Sequence, residues 1–285
     1  MELLEKIIQS SQGPGAKLLN KRLVGGGCIN HGARIETSEG VFFVKWSSGE
    51  RDMYDAEVHG LTLLRENTFL KVPLTIHSGT IGNASYLLME QIDAGLSSNQ
   101  FWPNFSTGLA GLHRVSSEYF GLDRNNYIGS LPQLNKKTTQ WSDFFINYRL
   151  QPQLEMAINS GKIDRETSRQ FDQLFVKIDQ LIPKEPPALL HGDLWSGNFL
   201  TDKEGQPALI DPAVYYGHRE TEIAFTKLFG GFSERFYQCY HEEFPLEPGF
   251  DERVDLHNLY PLMVHVNLFG SSYLSGVLST LAKHC

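Results

Sequence analysis

His191-Gly192-Asp193-Leu194-Trp195-Ser196-Gly197-Asn198 continues through Phe199-Leu200, a polar turn over Thr201 to Pro207, and Ala208-Leu209-Ile210-Asp211. Two short apolar runs flank Asp202 to Gly205, a pattern that predicts a β-hairpin returning Asp211 to the side of Asn198. Asp193 and Asn198 stand five apart in an H-x-D-x-x-x-x-N arrangement. Three oxygen-bearing side chains thereby converge. A hard cation such as Mg²⁺ accepts carboxylate, amide, water and phosphate oxygens, so Asn198 and Asp211 suit a metal and Asp193 is left to meet a hydroxyl nucleophile. The plainer alternative is a hairpin with a polar mouth, in which Asp193 and Asn198 cap turns and His191 is a hydrogen-bonded core histidine. Such a hairpin has no need of the whole set at this spacing.

Phosphoryl transfer requires further parts, and the first half of the chain supplies candidates. Lys17 to Val24 and Ala33 to Thr37 read as strands on either side of Gly25-Gly26-Gly27-Cys28-Ile29-Asn30. Without side chains, Gly25, Gly26 and Gly27 let backbone N–H groups approach phosphate oxygens, with Cys28 beside them. The loop matches neither G-x-x-x-x-G-K-[ST] nor G-x-G-x-x-G, and a flexible hairpin would also use such glycines. After Ser38-Glu39-Gly40, the strand Val41 to Trp46 alternates so that Lys45 shares a face with Val41 and Phe43, unusual company for an ammonium without a partner. The following helix carries an apolar face of Met53, Ala56, Gly60, Leu61 and Leu64, and Glu57 falls on that face. An inward carboxylate is costly unless paired, so Lys45 is its expected partner. A glutamate at the helix edge, partly in water, is the alternative.

The 285 residues allow about two domains, and 41% hydrophobic content is ample for a core without disulfides. The expected organisation is α+β with two lobes: residues 1–91, an antiparallel sheet with one main helix that binds nucleotide, and residues 92–285, mainly helical, carrying catalysis and substrate. Gln91 to Gly95 reads as the crossing, with adenine along Glu90 and Ile92 and the active site in the cleft. Helices are expected over Phe105 to Val115, Trp141 to Ala157, Asp164 to Leu181 and from about Thr221 onward. Leu259 to Ala282 has no charged Asp, Glu, Lys or Arg, yet its polar interruptions and helical periodicity favour one core-facing terminal helix over a membrane span. Three scattered cysteines, Cys28, Cys239 and Cys285, define neither a zinc site nor a disulfide framework, and the N-terminus lacks signal-peptide order, so a cytoplasmic setting is expected. The formal charge of −8 and the absence of a basic run argue against nucleic acid and anionic membrane and fit a cationic or neutral small substrate. From the residues alone, the reading ends at a small-molecule kinase using ATP and Mg²⁺.

Several segments carry a resemblance beyond this point. They are the catalytic stretch, Asp211-Pro212-Ala213-Val214-Tyr215-Tyr216-Gly217-His218-Arg219-Glu220, Phe120-Gly121-Leu122, Asn126-Tyr127-Ile128-Gly129, Pro132-Gln133-Leu134-Asn135, and Trp141 with Phe144-Phe145 and Arg149. Together they resemble the fructosamine-3-kinase, or ketosamine-3-kinase, family through nearly the whole chain. The resemblance implies a protein-kinase-like fold and phosphorylation of the 3-hydroxyl of ketosamines on free or protein-bound amines, with ATP and Mg²⁺. It gives Lys45 and Glu57 an ion pair, Asp193 the catalytic role, Asn198 and Asp211 the metal, and Trp195 a place lining the sugar. Asn126 and Asn135 are expected to face the acceptor with it. Some members form disulfide-linked dimers through a cysteine in the glycine loop, which makes Cys28 a candidate redox switch and homodimer link; a buried small residue is the alternative. Asp211-Pro212-Ala213 departs from the protein-kinase D-F-G, and no A-P-E follows. Aminoglycoside or choline kinases share the shorter motif and are the nearer competing reading. A non-catalytic nucleotide-binding protein is the distant one, since such proteins typically lack one of the key positions.

Overall fold

The computed structural model describes residues 2–24, 31–48 and 51–285. The chain forms two compact units, one of Met1–Phe105 with Asn198–Pro212 and one of Ser106–Gly197 with Ala213–Cys285.

The first unit opens with α1 (Leu3–Gln12), an amphipathic helix whose Leu4, Ile7 and Ile8 are buried. It is followed by β1 (Leu18–Val24), β2 (His31–Thr37), β3 (Gly40–Ser48), α2 (Arg51–Asn67), β4 (Thr75–Ile81) and β5 (Ala84–Glu90). The strands make one sheet in the order β1-β2-β3-β5-β4, antiparallel at every pairing. The core against α1 gathers Ala33, Ile35, Val44, Tyr86 and Leu88, while α2 packs on β4 and β5. The buried stripe of α2 is Tyr54, Ala56, Gly60, Leu61 and Leu64. Met53, expected in that stripe, is only half-buried, and Tyr54 takes the inner place.

The predicted hairpin is present, with Phe199–Thr201 paired antiparallel to Pro207–Leu209. Asp202 builds its turn by accepting the N–H groups of Glu204 at 3.0 Å and Gln206 at 2.8 Å. Gly205 adopts φ +76°, a left-handed conformation that suits glycine. The hairpin joins the first unit through Leu209 N–H to Lys71 O at 2.8 Å and Gly95 N–H to Thr201 O at 3.0 Å.

Helix α3 (Phe101–His113) runs from the first unit into the second. The Trp141 to Ala157 stretch, expected as one helix, divides into α4 (Trp141–Phe145), a π turn (Ile146–Leu150) and α5 (Gln151–Asn159). Pro152 has no N–H for the carbonyl four residues back, and Arg149 Nη1 donates to that Tyr148 oxygen instead at 2.8 Å. Then come α6 (Arg165–Leu181), capped by Asp164 on Thr167 N–H, α7 (Arg219–Leu228), α8 (Glu234–Glu243) and α9 (Phe250–His257). The single terminal helix expected over Leu259 to Ala282 is a pair, α10 (Leu259–Phe269) and α11 (Leu274–His284), which pack together. Gly270 at φ +101° breaks the helical path between them. Among the described residues no helix is long and apolar enough to cross a membrane.

Candidate active site

In the first unit the structure brings together Lys45 from β3, Glu57 from α2 and Asp211 from the end of the hairpin. Lys45 is 9% exposed; its Nζ donates to Glu57 Oε1 at 2.7 Å and also pairs with Asp211 Oδ1. Burial works against the ammonium, but the Asp211 and Glu57 carboxylates outweigh it and raise the Lys45 pKa above its ordinary value. Glu57 is pushed up by burial, pulled down by Lys45 and pushed up again by Asp211. Asp211 is the only non-glycine among the described residues with positive φ, at 56°. A conformation of this kind persists only where surrounding structure holds it, and it is concentrated at functional sites. Asn198, 6% exposed, stands at the other end of the hairpin, and Ile210 N–H donates to its backbone oxygen at 3.1 Å.

Glu90 ends β5, where its carboxylate meets Lys71 at 3.0 Å and accepts Leu74 N–H at 3.2 Å. Ile92 is buried, and its carbonyl accepts Gln91 Nε2 at 2.6 Å. Gly25, Gly26, Gly27 and Cys28 lie outside the described residues. Of the other cysteines, Cys239 is buried and Cys285 exposed, both as free thiols.

In the second unit Asp193 follows Gly192, whose φ is +83° and where a Cβ would stand 2.0 Å from Ala213 O. Only glycine fits there. The turn is held by a carboxylate that the sequence pattern did not reveal. Glu222 of α7 accepts Gly192 N–H at 2.7 Å and His191 N–H at 3.2 Å. His113 Nε2 donates to it at 2.8 Å, and Tyr240 OH meets His113 Nδ1 at 2.6 Å. Burial opposes the Glu222 charge, yet the His113 hydrogen bond and charge hold its pKa below the ordinary value. His191 is buried, its Nδ1 accepting Asp193 N–H at 3.3 Å and its carbonyl accepting Ala213 N–H at 2.9 Å.

Trp195 is 38% exposed, and a Cβ at Gly197 would fall 2.3 Å from its ring. Asn126 and Asn135, expected to face the acceptor, are buried with their amides engaged inside the unit. Asn126 Nδ2 donates to Val214 O at 2.8 Å and its Oδ1 accepts Gln133 Nε2 and Asn135 Nδ2, both at 2.8 Å. Asn135 Oδ1 accepts Arg149 Nη2 at 2.7 Å. Arg149 is fully buried, with its guanidinium 4.0 Å from the Tyr215 ring centroid and 4.5 Å from that of Phe144. These two asparagines therefore brace the backbone that follows Asp211-Pro212 in the chain, a cation–π and amide network that spacing alone does not reveal.

A second histidine-bearing cluster lies apart from these residues. Ligand atoms of His218, Glu220 and His257 approach within 4.8 Å of one another. Both Glu220 oxygens are already engaged, by Arg253 at 2.5 and 2.9 Å and by His257 Nε2 at 2.9 Å. His218 Nε2 donates to Pro183 O at 3.0 Å, so the cluster is a buried ion-pair network.

The fold of the whole chain has close counterparts among solved structures. A crystal structure from Thermobifida fusca assigned as a fructosamine-3-kinase superposes with TM-score 0.88 at 30% identity, covering 99% of this chain and 98% of that one. Aminoglycoside phosphotransferase APH(4)-Ia, in a ternary complex with AMP-PNP and hygromycin B, shares the fold with TM-score 0.64 at 15% identity over 99% of both chains. The class is thus a protein-kinase-like phosphotransferase acting on a hydroxyl. Within it, a family model for fructosamine kinase matches residues 1–285, and the chain belongs to that family. Mouse (Mus musculus) ketosamine-3-kinase is 36% identical over 287 residues, covering 90% of this chain and 92% of that protein. A Synechocystis protein named as a ketoamine kinase is 39% identical over 273 residues, with 93% and 90% covered. The chloroplastic protein-ribulosamine 3-kinase of Oryza sativa subsp. indica is 35% identical over 279 residues, with 95% and 80% covered.

Proposed function

We propose that this chain is an ATP- and Mg²⁺-dependent ketosamine 3-kinase acting on fructosamine or ribulosamine carried by a free or protein-bound amine. The observation that carries the reading is the buried Lys45 ammonium, held by Glu57 and shared with Asp211. A lysine so held stays charged and is aimed by its partner, as a group that grips phosphate oxygens must be. Asp211 and Asn198 offer a carboxylate and an amide oxygen at the two ends of one hairpin, a donor set that fits Mg²⁺. Bound there, the metal would neutralise charge on the nucleotide phosphates. Lys45 would then exchange Asp211 for phosphate oxygens.

Asp193 is the proposed proton acceptor. It takes the proton of the sugar hydroxyl as that oxygen bonds to the γ-phosphorus and the bond to the bridging oxygen breaks, leaving ADP. Trp195 would lie along the sugar carbons. The backbone from Glu90 to Ile92 would edge the adenine, with residues 1–91 as the nucleotide-binding lobe and 92–285 carrying the acceptor, catalysis and, through Asn198 and Asp211, the metal. Mg²⁺-dependent ADP release tests the reading, with fructosyl-lysine, ribulosyl-lysine, kanamycin and choline compared as acceptors. Turnover is expected with one of the two ketosamines. Turnover confined to kanamycin or choline, or none with any acceptor, overturns it.

A further inference from the structure

Gln133 closes the short strand Leu131–Gln133 and is buried, yet both amide protons and the amide oxygen are engaged. Nε2 donates to Asn126 Oδ1 at 2.8 Å and to Ala213 O at 3.1 Å, while Oε1 accepts the Tyr260 hydroxyl at 2.7 Å. Chemistry fixes the orientation of this amide. Ala213 O can only accept, so the NH₂ faces it and the oxygen is left to face Tyr260. Tyr260 must therefore donate, and burial, which raises its pKa, keeps the phenol protonated.

The peptide that Gln133 grips is packed on the turn that carries Asp193. Ala213 N–H donates to His191 O at 2.9 Å, and Ala213 O closes on Gly192, where a Cβ would stand 2.0 Å away. Glu222 holds the same turn by its His191 and Gly192 N–H groups. The turn is thus held twice, by its N–H groups from α7 and by its His191 carbonyl from Ala213. Gln133 fixes the oxygen end of the second hold. Tyr260, at the far end of the amide, lines one small cavity with Gly192 and Asp193. An interior that needed only volume here would use an apolar side chain, because a buried amide is costly unless its partners are all in place.

We propose that Gln133 is a positioning residue for phosphoryl transfer, acting through Ala213 and Tyr260 to hold the Gly192–Asp193 turn where the Asp193 carboxylate meets the acceptor hydroxyl. The inference rests on the reading of Asp193 as proton acceptor. It adds a residue that is itself 1% exposed and so touches neither nucleotide nor acceptor. A reacting group displaced by about 1 Å can lose on the order of 10²-fold in rate, so the loss of this amide belongs in kcat rather than in binding.

Steady-state kinetics with ATP, Mg²⁺ and whichever of fructosyl-lysine and ribulosyl-lysine the wild type turns over, read beside thermal melts, test the assignment. Wild-type turnover reports on the kinase reading itself, and its absence removes both proposals. With that turnover present, Gln133→Met, which keeps the volume and loses the amide, is expected to lower kcat about 10-fold, with KM for ATP and acceptor within about 2-fold of wild type. Phe171→Leu, at a buried apolar position of α6, should lower Tm and leave kcat unchanged, which separates positioning from a loosened fold. Tyr260→Phe removes only the hydroxyl and should lower kcat about 3-fold. Because both side chains act through one amide, the double variant should lose no more than Gln133→Met alone. The assignment is overturned if Gln133→Met keeps kcat within about 2-fold of wild type, if its acceptor KM rises while kcat holds, or if the two losses multiply in the double variant. Should Gln133→Met fail to fold, Tyr260→Phe decides alone, and an unchanged kcat there overturns it.

Discussion

At the scale of single residues, Asp193 and Lys45 illustrate two ways in which a fold holds a charged side chain. Lys45 is buried, and its charge persists because two carboxylates flank it. Asp193 is placed through the backbone, by a left-handed Gly192 that no larger residue could replace and by a carboxylate gripping the two preceding N–H groups. This placement bears directly on the reaction. An amide at position 193 keeps the size and polarity of the side chain but cannot accept the hydroxyl proton. Asp193→Asn is accordingly expected to lower kcat on the order of 10²- to 10⁴-fold at saturating acceptor, with nucleotide affinity preserved. Steady-state turnover together with AMP-PNP titration checks this, and a variant retaining more than half of wild-type kcat would falsify the assignment of Asp193 as proton acceptor.

At the scale of elements, α7 contributes to two buried networks of the second unit, with Glu222 holding the Asp193 turn, Glu220 in its first turn and His218 as its N-cap. Glu222→Gln keeps one acceptor oxygen for the two N–H groups and sets an NH₂ against them. The expected result is a kcat about 10-fold lower with KM for ATP and acceptor little changed, because the variant disturbs a turn and touches neither ligand. A rise in KM with unchanged kcat would assign Glu222 to binding instead. The His218 network predicts acid sensitivity. Burial, with His257 nearby, lowers the His218 pKa to about 3, whereas the unfolded imidazole titrates near its ordinary 6.5. Between those values the unfolded chain binds the extra proton, so stability is lost as pH falls below about 6.5 toward 3. Glu220 adds to the same trend: burial opposes its charge, but His257 and Arg253 hold its pKa down to about 2, so its contribution is lost as pH falls from about 4.5 toward 2. His218→Gln, able to keep the bond to Pro183 O, should flatten the fall in Tm between pH 7 and pH 5, and thermal melts at the two pH values measure it. An unchanged slope would place the acid sensitivity elsewhere. Legibility in the sequence also divides by element. The 199–209 hairpin was readable because its turn chemistry and the spacing of Asp193 to Asn198 are local. The Gly270 break was not, since helical periodicity continues on both sides and a helix tolerates an isolated glycine. The π turn depends on where the Arg149 guanidinium goes, and the roles of Asn126 and Asn135 depend on the Val214 carbonyl and on that guanidinium. Glu222 was invisible for the same reason, its His113 partner being 109 residues away.

At the scale of the whole molecule, the chain crosses between its two units three times, after Phe105, after Gly197 and after Pro212. The last two crossings bracket the hairpin, so Asn198 and Asp211 belong to the first unit with Lys45, while Asp193 belongs to the second. Under the proposed roles, the groups for nucleotide and metal and the proton acceptor belong to different units, and ligand-induced stabilisation can tell them apart. A ligand that binds only the folded protein at 100 times its Kd stabilises it by about 2.7 kcal/mol. For a chain of this size that corresponds to a Tm rise of roughly 5 °C. AMP-PNP with Mg²⁺ is expected to produce a rise of this order, and AMP-PNP alone a smaller one. Asn198→Ala and Asp211→Ala should lose the Mg²⁺-dependent part while retaining the response to nucleotide alone, and Lys45→Ala should lose much of both. Asp193→Asn should keep the full shift, because its proposed work is with the acceptor. Should Asp211→Ala retain the whole Mg²⁺ increment while Asp193→Asn abolishes it, the metal is held from the second unit and the roles of the two aspartates must be exchanged.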